Sequence, residues 1–261
     1  MQSITSKVLI PKEALCICGS GKSFGECCIS KNHSYESLTI AEIGSTVIYD
    51  QTEIITAVKN LNSFMETRIS STSTRLTQSE ALRKLKRLYE KFGNALKPIS
   101  GVVSCKAGCS QCCHLLVLTS QLEAEMMKDY ISAYYSPMKL AEFKEKIREH
   151  KDLLSSLTVF SNGRFSEEST QAYLSSKLPC AFLNENDCCS IYEARPFICR
   201  KYLVFDNPEI CANPFNKTTQ YYSGYHSTVK DAIIKLNQLT YGDNYKYKHL
   251  LSWFVQDNPE F

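Results

Sequence analysis

Four cysteines fall within the nine residues Cys105–Cys113, read as CKAGCSQCC, and two of them are adjacent. No other stretch limits so tightly what this chain can fold into. A second group, Cys180, Cys188, Cys189, Cys199 and Cys211, follows well downstream. Adjacent pairs occur at 27–28, 112–113 and 188–189. Neighbouring cysteines rarely bridge each other, so this pattern makes an awkward disulfide framework. One metal ion, in contrast, gathers several thiolates within a few Å. The spacing therefore predicts metal ligation, and with it a reducing, cytoplasmic compartment. The two groups are expected to fold onto one another around metal.

Thirteen cysteines are unusual for 261 residues, whereas a hydrophobic fraction of 43% is ordinary for a globular chain. A net charge of +3 is too small to argue for nucleic acid as a partner. The opening MQSITSKVLIPKEAL has neither a long apolar core nor a small-residue cleavage site, so no signal peptide is expected. No apolar run reaches the roughly 18 residues of a membrane span, and no membrane partner is expected.

A third group lies in residues 14–30, ALCICGSGKSFGECCIS. Its pattern is Cys16-x-Cys18, eight residues, then Cys27-Cys28. Gly19 and Gly21 permit the tight turns that return the second pair to the first, and Phe24 can supply a small apolar cap. Four thiolates make a closed tetrahedral zinc site, and in so short a segment metal binding supplies much of the folding energy. Gly21-Lys22-Ser23 does not make a phosphate-binding loop, because position 16 is cysteine where that loop needs glycine. With its four ligands and the Gly-Ser-Gly-Lys core, the segment resembles the SEC-C motif, found at the tail of the SecA translocation ATPase and in many bacterial proteins. The resemblance implies a structural zinc knuckle that docks a protein partner.

The rest reads as mainly helical. Helices are expected over 50–70 (Ile54, Ile55, Val58, Leu61 and Met65 on one side) and 79–96 (Leu82, Leu85, Leu88 or Tyr89, Phe92 and Leu96), with a polar hinge at 70–78. Residues 31–50 show no clear period. Arg83, Lys84, Lys86, Arg87 and Lys91 read as a solvated helix face, and Pro98 and Gly101 end that helix. Leu115–Leu118 is a strand stub or buried turn. Ser120-x-x-Glu123 is a capping box opening a helix to about Tyr135, and Ser136-Pro137 opens the next, to about Ser156. A loop at 161–170, a short helix at 168–177 and a helix at 227–240 follow. Residues 241–261 pack back as a terminal helix or cover.

The second cysteine group reads LPCAFLNENDCCSIYEARPFICRKY. Asn184–Asp187 is a turn segment that lets Cys180 and Cys189 sit on two arms of a hairpin or tight loop. Pro196 stiffens the turn presenting Cys199. Arg195 and Arg200, beside thiolates, can offset their charge and hydrogen-bond to sulfur. A cluster ending in Cys-Cys, then Pro-Cys, then Cys-x-Ile-Tyr-Glu-x-Arg-Pro-x-x-Cys-Arg, resembles the YkgJ family, the CxxCxxCC proteins described as zinc- or iron-chelating. The resemblance spans roughly residues 100–215. It implies Cys105, Cys109, Cys112, Cys113, Cys180, Cys189 and Cys199 as metal ligands, with Tyr192, Arg195, Pro196 and Arg200 as the accompanying signature. This chain departs from the family pattern in the three-residue gap between Cys105 and Cys109 and in the extra Cys188, a spare ligand or an inert buried thiol. Cys211 is an eighth candidate ligand.

Such thiolate sites suit zinc or an iron–sulfur cluster. The reading is a mainly α protein. A SEC-C knuckle (14–30) and a helical linker region (31–99) precede a cysteine-cluster domain wrapped around metal (100–215), and a C-terminal helical cover (216–261) follows. Its function is metal binding. The alternatives are a cluster- or metal-dependent protein-modifying enzyme resembling lysine N-methylases, and a metal storage or sensing module. Cys105-x-x-x-Cys109-x-x-Cys112 has the spacing of a radical S-adenosylmethionine enzyme. No Gly-Gly-Glu-like segment and no alternating strands and helices accompany it. His114 reads as a surface or outer-layer histidine, and His226 and His249 carry no spacing signal.

Overall fold

The computed structural model describes residues 4–40, 45–100, 103–105, 108–159, 164–213, 216, 218 and 220–255. Gly101, part of the 161–170 loop and the end of the expected terminal cover lie outside these residues. Among the described residues there are seven α-helices, a three-stranded sheet and a two-stranded sheet.

The N-terminal sheet is antiparallel in the order β1 (Ile4–Lys7), β2 (Tyr35–Ile40), β3 (Ser45–Asp50). The absence of a sequence period over 31–50 has a simple cause. Ser37 takes a buried place on β2, its hydroxyl 2.8 Å from that of Ser6 on β1, while Ile48 on β3 faces solvent. Polarity therefore does not alternate with burial. The knuckle is the connection between β1 and β2. Val8 donates its N–H to Tyr35 O at 3.0 Å, and the Tyr35 ring meets Phe24 edge-on at 5.3 Å. The cap expected from Phe24 alone is a pair.

Asp50 ends β3 and caps α1 (Gln51–Met65), accepting the Glu53 N–H at 2.9 Å. One π-helical turn, Glu66–Ser70, extends it to the expected hinge. Thr77 and Glu80 form a reciprocal capping box that starts α2 (Gln78–Leu96), one residue ahead of expectation. A second box, Ser120 with Glu123, starts α3 (Gln121–Tyr134), and Ser136 caps α4 (Pro137–Ser156). The chain continues through α5 (Glu167–Ser176), the single turn α6 (Phe197–Lys201) and α7 (Tyr225–Tyr241).

Helix α3 stands between two apolar cores. On one side Leu61 and Met65 of α1, Leu85, Leu88 and Phe92 of α2, and Val229, Ile233 and Leu236 of α7 enclose Leu122 and Phe197. On the other, Met127 and Ile131 pack with Phe143 of α4, Tyr173 of α5, Phe182, Ile191 and the terminal Leu250, Leu251 and Phe254. Each such side chain contributes about 1.5–3 kcal/mol by leaving water. Helices α1 and α2 are thus part of the principal core. After α7 the described residues pack on the second core through Leu250, Leu251 and Phe254, as strand and 3-10 turns where a terminal helix or cover is expected. The strand, β5 (Tyr247–His249), pairs with β4 (Leu118–Ser120) and leads into the 3-10 turn Leu250–Trp253. Fully buried Asn237 joins α7 to α3, accepting the otherwise unpaired Leu122 N–H at 3.0 Å.

Candidate metal centres

The knuckle is shaped by its backbone. Cys16 donates its N–H to Lys22 O at 2.9 Å, and Gly19 and Gly21 take φ of 76° and 75°, where a side chain would be strained. Cys16, Cys18, Cys27 and Cys28 converge, all four sulfurs lying within 4.8 Å of one another. The separations are 3.4 Å for Cys16–Cys18, 3.5 Å for Cys18–Cys27 and 3.8 Å for Cys27–Cys28. A tetrahedron with Zn–S bonds of about 2.3 Å has edges of about 3.8 Å. The four thiols therefore have the spacing of one mononuclear tetrahedral site. Hydrogen bonds from Ser20 and then Cys16 hold Cys18 down at about 6, whereas burial raises Cys28 to about 12.

The second site is assembled from segments far apart in sequence. Cys112 and Cys113 sit on a 3-10 turn, Gln111–His114. The Cys180 N–H donates to Cys113 O at 2.8 Å and joins the two cysteine groups directly. Residues 180–190 form the expected hairpin, with Leu183 bridged to Cys189 and Asp187 at φ 56° in the turn. Cys199 lies on α6, whose first residue, Phe197, gives its N–H to the Glu123 carboxylate at 2.8 Å. Cys105 is held by the Val204 N–H, 3.3 Å from its sulfur.

Eight cysteines, 105, 109, 112, 113, 180, 188, 189 and 199, line one cavity of about 290 Å³. Leu115, Val117, Phe182 and Ile191 supply apolar wall. Cys211 is not on that wall. It sits on the turn Pro208–Ala212, which packs against the Gln111–His114 turn. Cys188 is half-buried with its sulfur 3.3 Å from Asn186 O, so it is a wall residue and not the buried thiol considered above.

Arg195 also lines the cavity. Its guanidinium lies 3.9 Å over the Tyr192 ring, and its Nε is buried without a partner. Arg200 stands outside the lining. Its Nε donates to Arg195 O at 2.8 Å, a terminal nitrogen donates to Glu193 O, and its plane covers Tyr89, so it braces the turn that carries Arg195. The Cys113 thiol and then Arg195 favour the Cys112 thiolate, which is lowered to about 7. Burial raises Cys105 to about 11 and Cys180 to about 12, and pushes Cys199 well above its ordinary value. A cation bound here displaces protons from these thiols.

Among the described residues, three or more ligand atoms come within 4.8 Å of one another in the knuckle and in His33–Asp50–Glu53, not in the large cavity. The His33 group has an ordinary explanation: Asp50 caps α1 and bonds His33 at 2.7 Å, and Lys31 pairs with Glu53. The large cavity is thus mainly thiolate in its donors, with Asp187 and His249 also on the wall, but wider than one tetrahedral ion. In a polynuclear centre the thiolates bind different metals and stand further apart. Its donor set fits a thiophilic metal. Sequence reasoning missed Tyr173 and His249 on the cavity wall: His249 reaches it only through the pairing of β5 with β4, and Tyr173 only through the packing of α5 into the second core. His114 is not among the lining residues, and its ring is bonded to Lys177 O at 3.2 Å.

A closed four-thiol site and an open, cysteine-lined cavity define a metal-binding protein. Residues 104–221 match the CxxCxxCC family model, described as "Putative zinc- or iron-chelating domain", and residues 14–29 match the SEC-C motif. Both resemblances read from the sequence are borne out. No curated protein and no solved structure matches the chain. Helices α1, α2 and α7 lie outside both matched spans. No helix among the described residues is long and apolar enough to cross a membrane.

Proposed function

We propose that this is a cytoplasmic metal-binding protein with a structural zinc in the knuckle and iron, as an iron–sulfur cluster, or zinc in the large cavity. The observation that carries this reading is the gathering of eight cysteines and Arg195 around one cavity, from segments brought together by the Cys180–Cys113 hydrogen bond. Cys105, Cys109, Cys112, Cys113, Cys180, Cys189 and Cys199 are the ligand candidates on the wall, with Cys211 behind it. Arg195 offsets thiolate charge from within the wall, Tyr192 holds Arg195, and Arg200 fixes the turn beneath them. A bound cluster would supply redox or Lewis-acid chemistry there, and zinc would supply structure alone. The knuckle docks a protein partner: Leu9 and Leu15, 97% and 76% exposed, flank it and suit an apolar contact.

The test is elemental analysis and visible spectroscopy of full-length protein purified anaerobically. Iron with labile sulfide and visible charge-transfer absorption supports the cluster. Colourless protein with zinc beyond one equivalent supports zinc. Metal at one equivalent, all of it lost in a Cys16→Ser variant, would refute a metal-binding cavity.

A further inference from the structure

The large site has more thiolates than one four-coordinate centre can use, and the backbone divides them. Cys105, Cys109 and Cys112 come from one stretch of chain. That stretch is sewn to residues 204–205 by Ser104, whose N–H donates to Val204 O at 2.8 Å and whose hydroxyl donates to Phe205 O at 3.0 Å. The same strip continues into the Pro208–Ala212 turn, which brings Cys211 against Gln111–His114. Cys180 and Cys189 instead belong to the hairpin rooted in the second core through Phe182 and Ile191. Cys199 joins them from α6, next to Phe197 of the first core.

Cys112 and Cys113 mark the boundary. Their thiols touch, but their surroundings differ: Cys112 sits on the turn that packs against Pro208–Ala212 and has Cys105 and Cys211 about it, whereas Cys113, whose carbonyl receives the Cys180 N–H, has Cys180 and Cys189. We infer that the site holds two metal centres side by side: one on Cys105, Cys109, Cys112 and Cys211, the other on Cys113, Cys180, Cys189 and Cys199. Each centre ties the 105–113 stretch to a different downstream segment. Cys188 belongs to neither, since its sulfur faces Asn186 O at the hairpin tip. This inference rests on the metal-binding reading above.

The test uses the wild-type full-length protein. Metal is withdrawn in steps with a chelator while a thiol-alkylating reagent and peptide mapping follow each cysteine. Two centres expose the two sets of four at different chelator concentrations, each with its own share of metal release. Cys188 is labelled before either. A Cys211→Ser variant is expected to lose protection of Cys105, Cys109 and Cys112 only, and a Cys188→Ser variant to keep all core metal. Exposure of all eight cysteines in one step with one release of metal would overturn the two-centre arrangement and leave metal binding intact. Eight cysteines reactive from the outset would instead sink the metal-binding reading itself.

Discussion

Glu123→Gln tests how the helical scaffold sets the metal cavity. The Glu123 side chain is 4% exposed and accepts from four donors. Tyr89 OH and the Phe197 N–H meet Oε1, and the Ser120 N–H and hydroxyl meet Oε2 at 3.0 and 2.7 Å. One carboxylate thus joins α2, the start of α3 and the start of α6. Glutamine puts an NH2 where a hydroxyl and a backbone N–H converge: the hydroxyl can turn to accept from it, but the N–H loses its charged acceptor and the remaining bonds lose their charge assistance. At about 1–3 kcal/mol for the orphaned N–H, with the weakened bonds added, the expected destabilisation is about 3 kcal/mol. For a chain of this size that lowers Tm by roughly 6–12 °C. Circular dichroism melts and denaturant titrations of wild type, E123Q and Tyr89→Phe would measure it, the last costing about 1 kcal/mol because one donor goes with its hydroxyl. Because Phe197 begins the turn that carries Cys199, E123Q should also weaken retention of core metal against a chelator, leaving the knuckle's zinc unchanged. A loss for E123Q below about 1 kcal/mol would show that the carboxylate is not the acceptor for these donors.

Three further outcomes are expected. Thr77→Ala removes the α2 cap and should cost about 1 kcal/mol in denaturant unfolding without affecting metal content. Arg195→Met keeps the side-chain bulk but removes the charge beside Cys112 and Cys189, and should weaken core metal binding about 10–100-fold in chelator competition. Burial, then Lys201, lowers His226 from 6.5 to about 4. Between those values the unfolded chain binds the extra proton, so stability is full above pH 6.5 and declines as pH falls towards 4. His226→Phe, which keeps a ring among Phe92, Tyr221 and Tyr225, should flatten that acid limb in denaturant midpoints taken at a series of pH values.

Local rules carried the sequence reading furthest. The Ser120–Glu123 box, Ser136-Pro137 and the stripe Leu82–Leu85–Leu88–Phe92 act within one or two turns, and the helices they predict are present. The same holds for the knuckle, whose ligands and glycines lie within a single short loop, and for the hairpin around Asn184–Asp187. The Thr77–Glu80 box was equally legible but was hidden by the polar run before it.

What needed the tertiary structure was everything that depends on partners distant in the chain. Strands β1 to β3 form because a loop holding the knuckle returns Tyr35 to Val8, and Ser37 is buried because Ser6 satisfies it. Arg195 and Arg200 look equivalent beside the cysteines, but only packing against Tyr89 turns Arg200 away from the cavity and leaves Arg195 in its wall. Sequence by itself determined the number and kind of metal-seeking side chains, since thiol chemistry and close spacing need no fold to be recognised. The tertiary structure decided which of them meet: the sulfurs of the knuckle close on one another, whereas those of the core are spread around a cavity by two separately anchored segments.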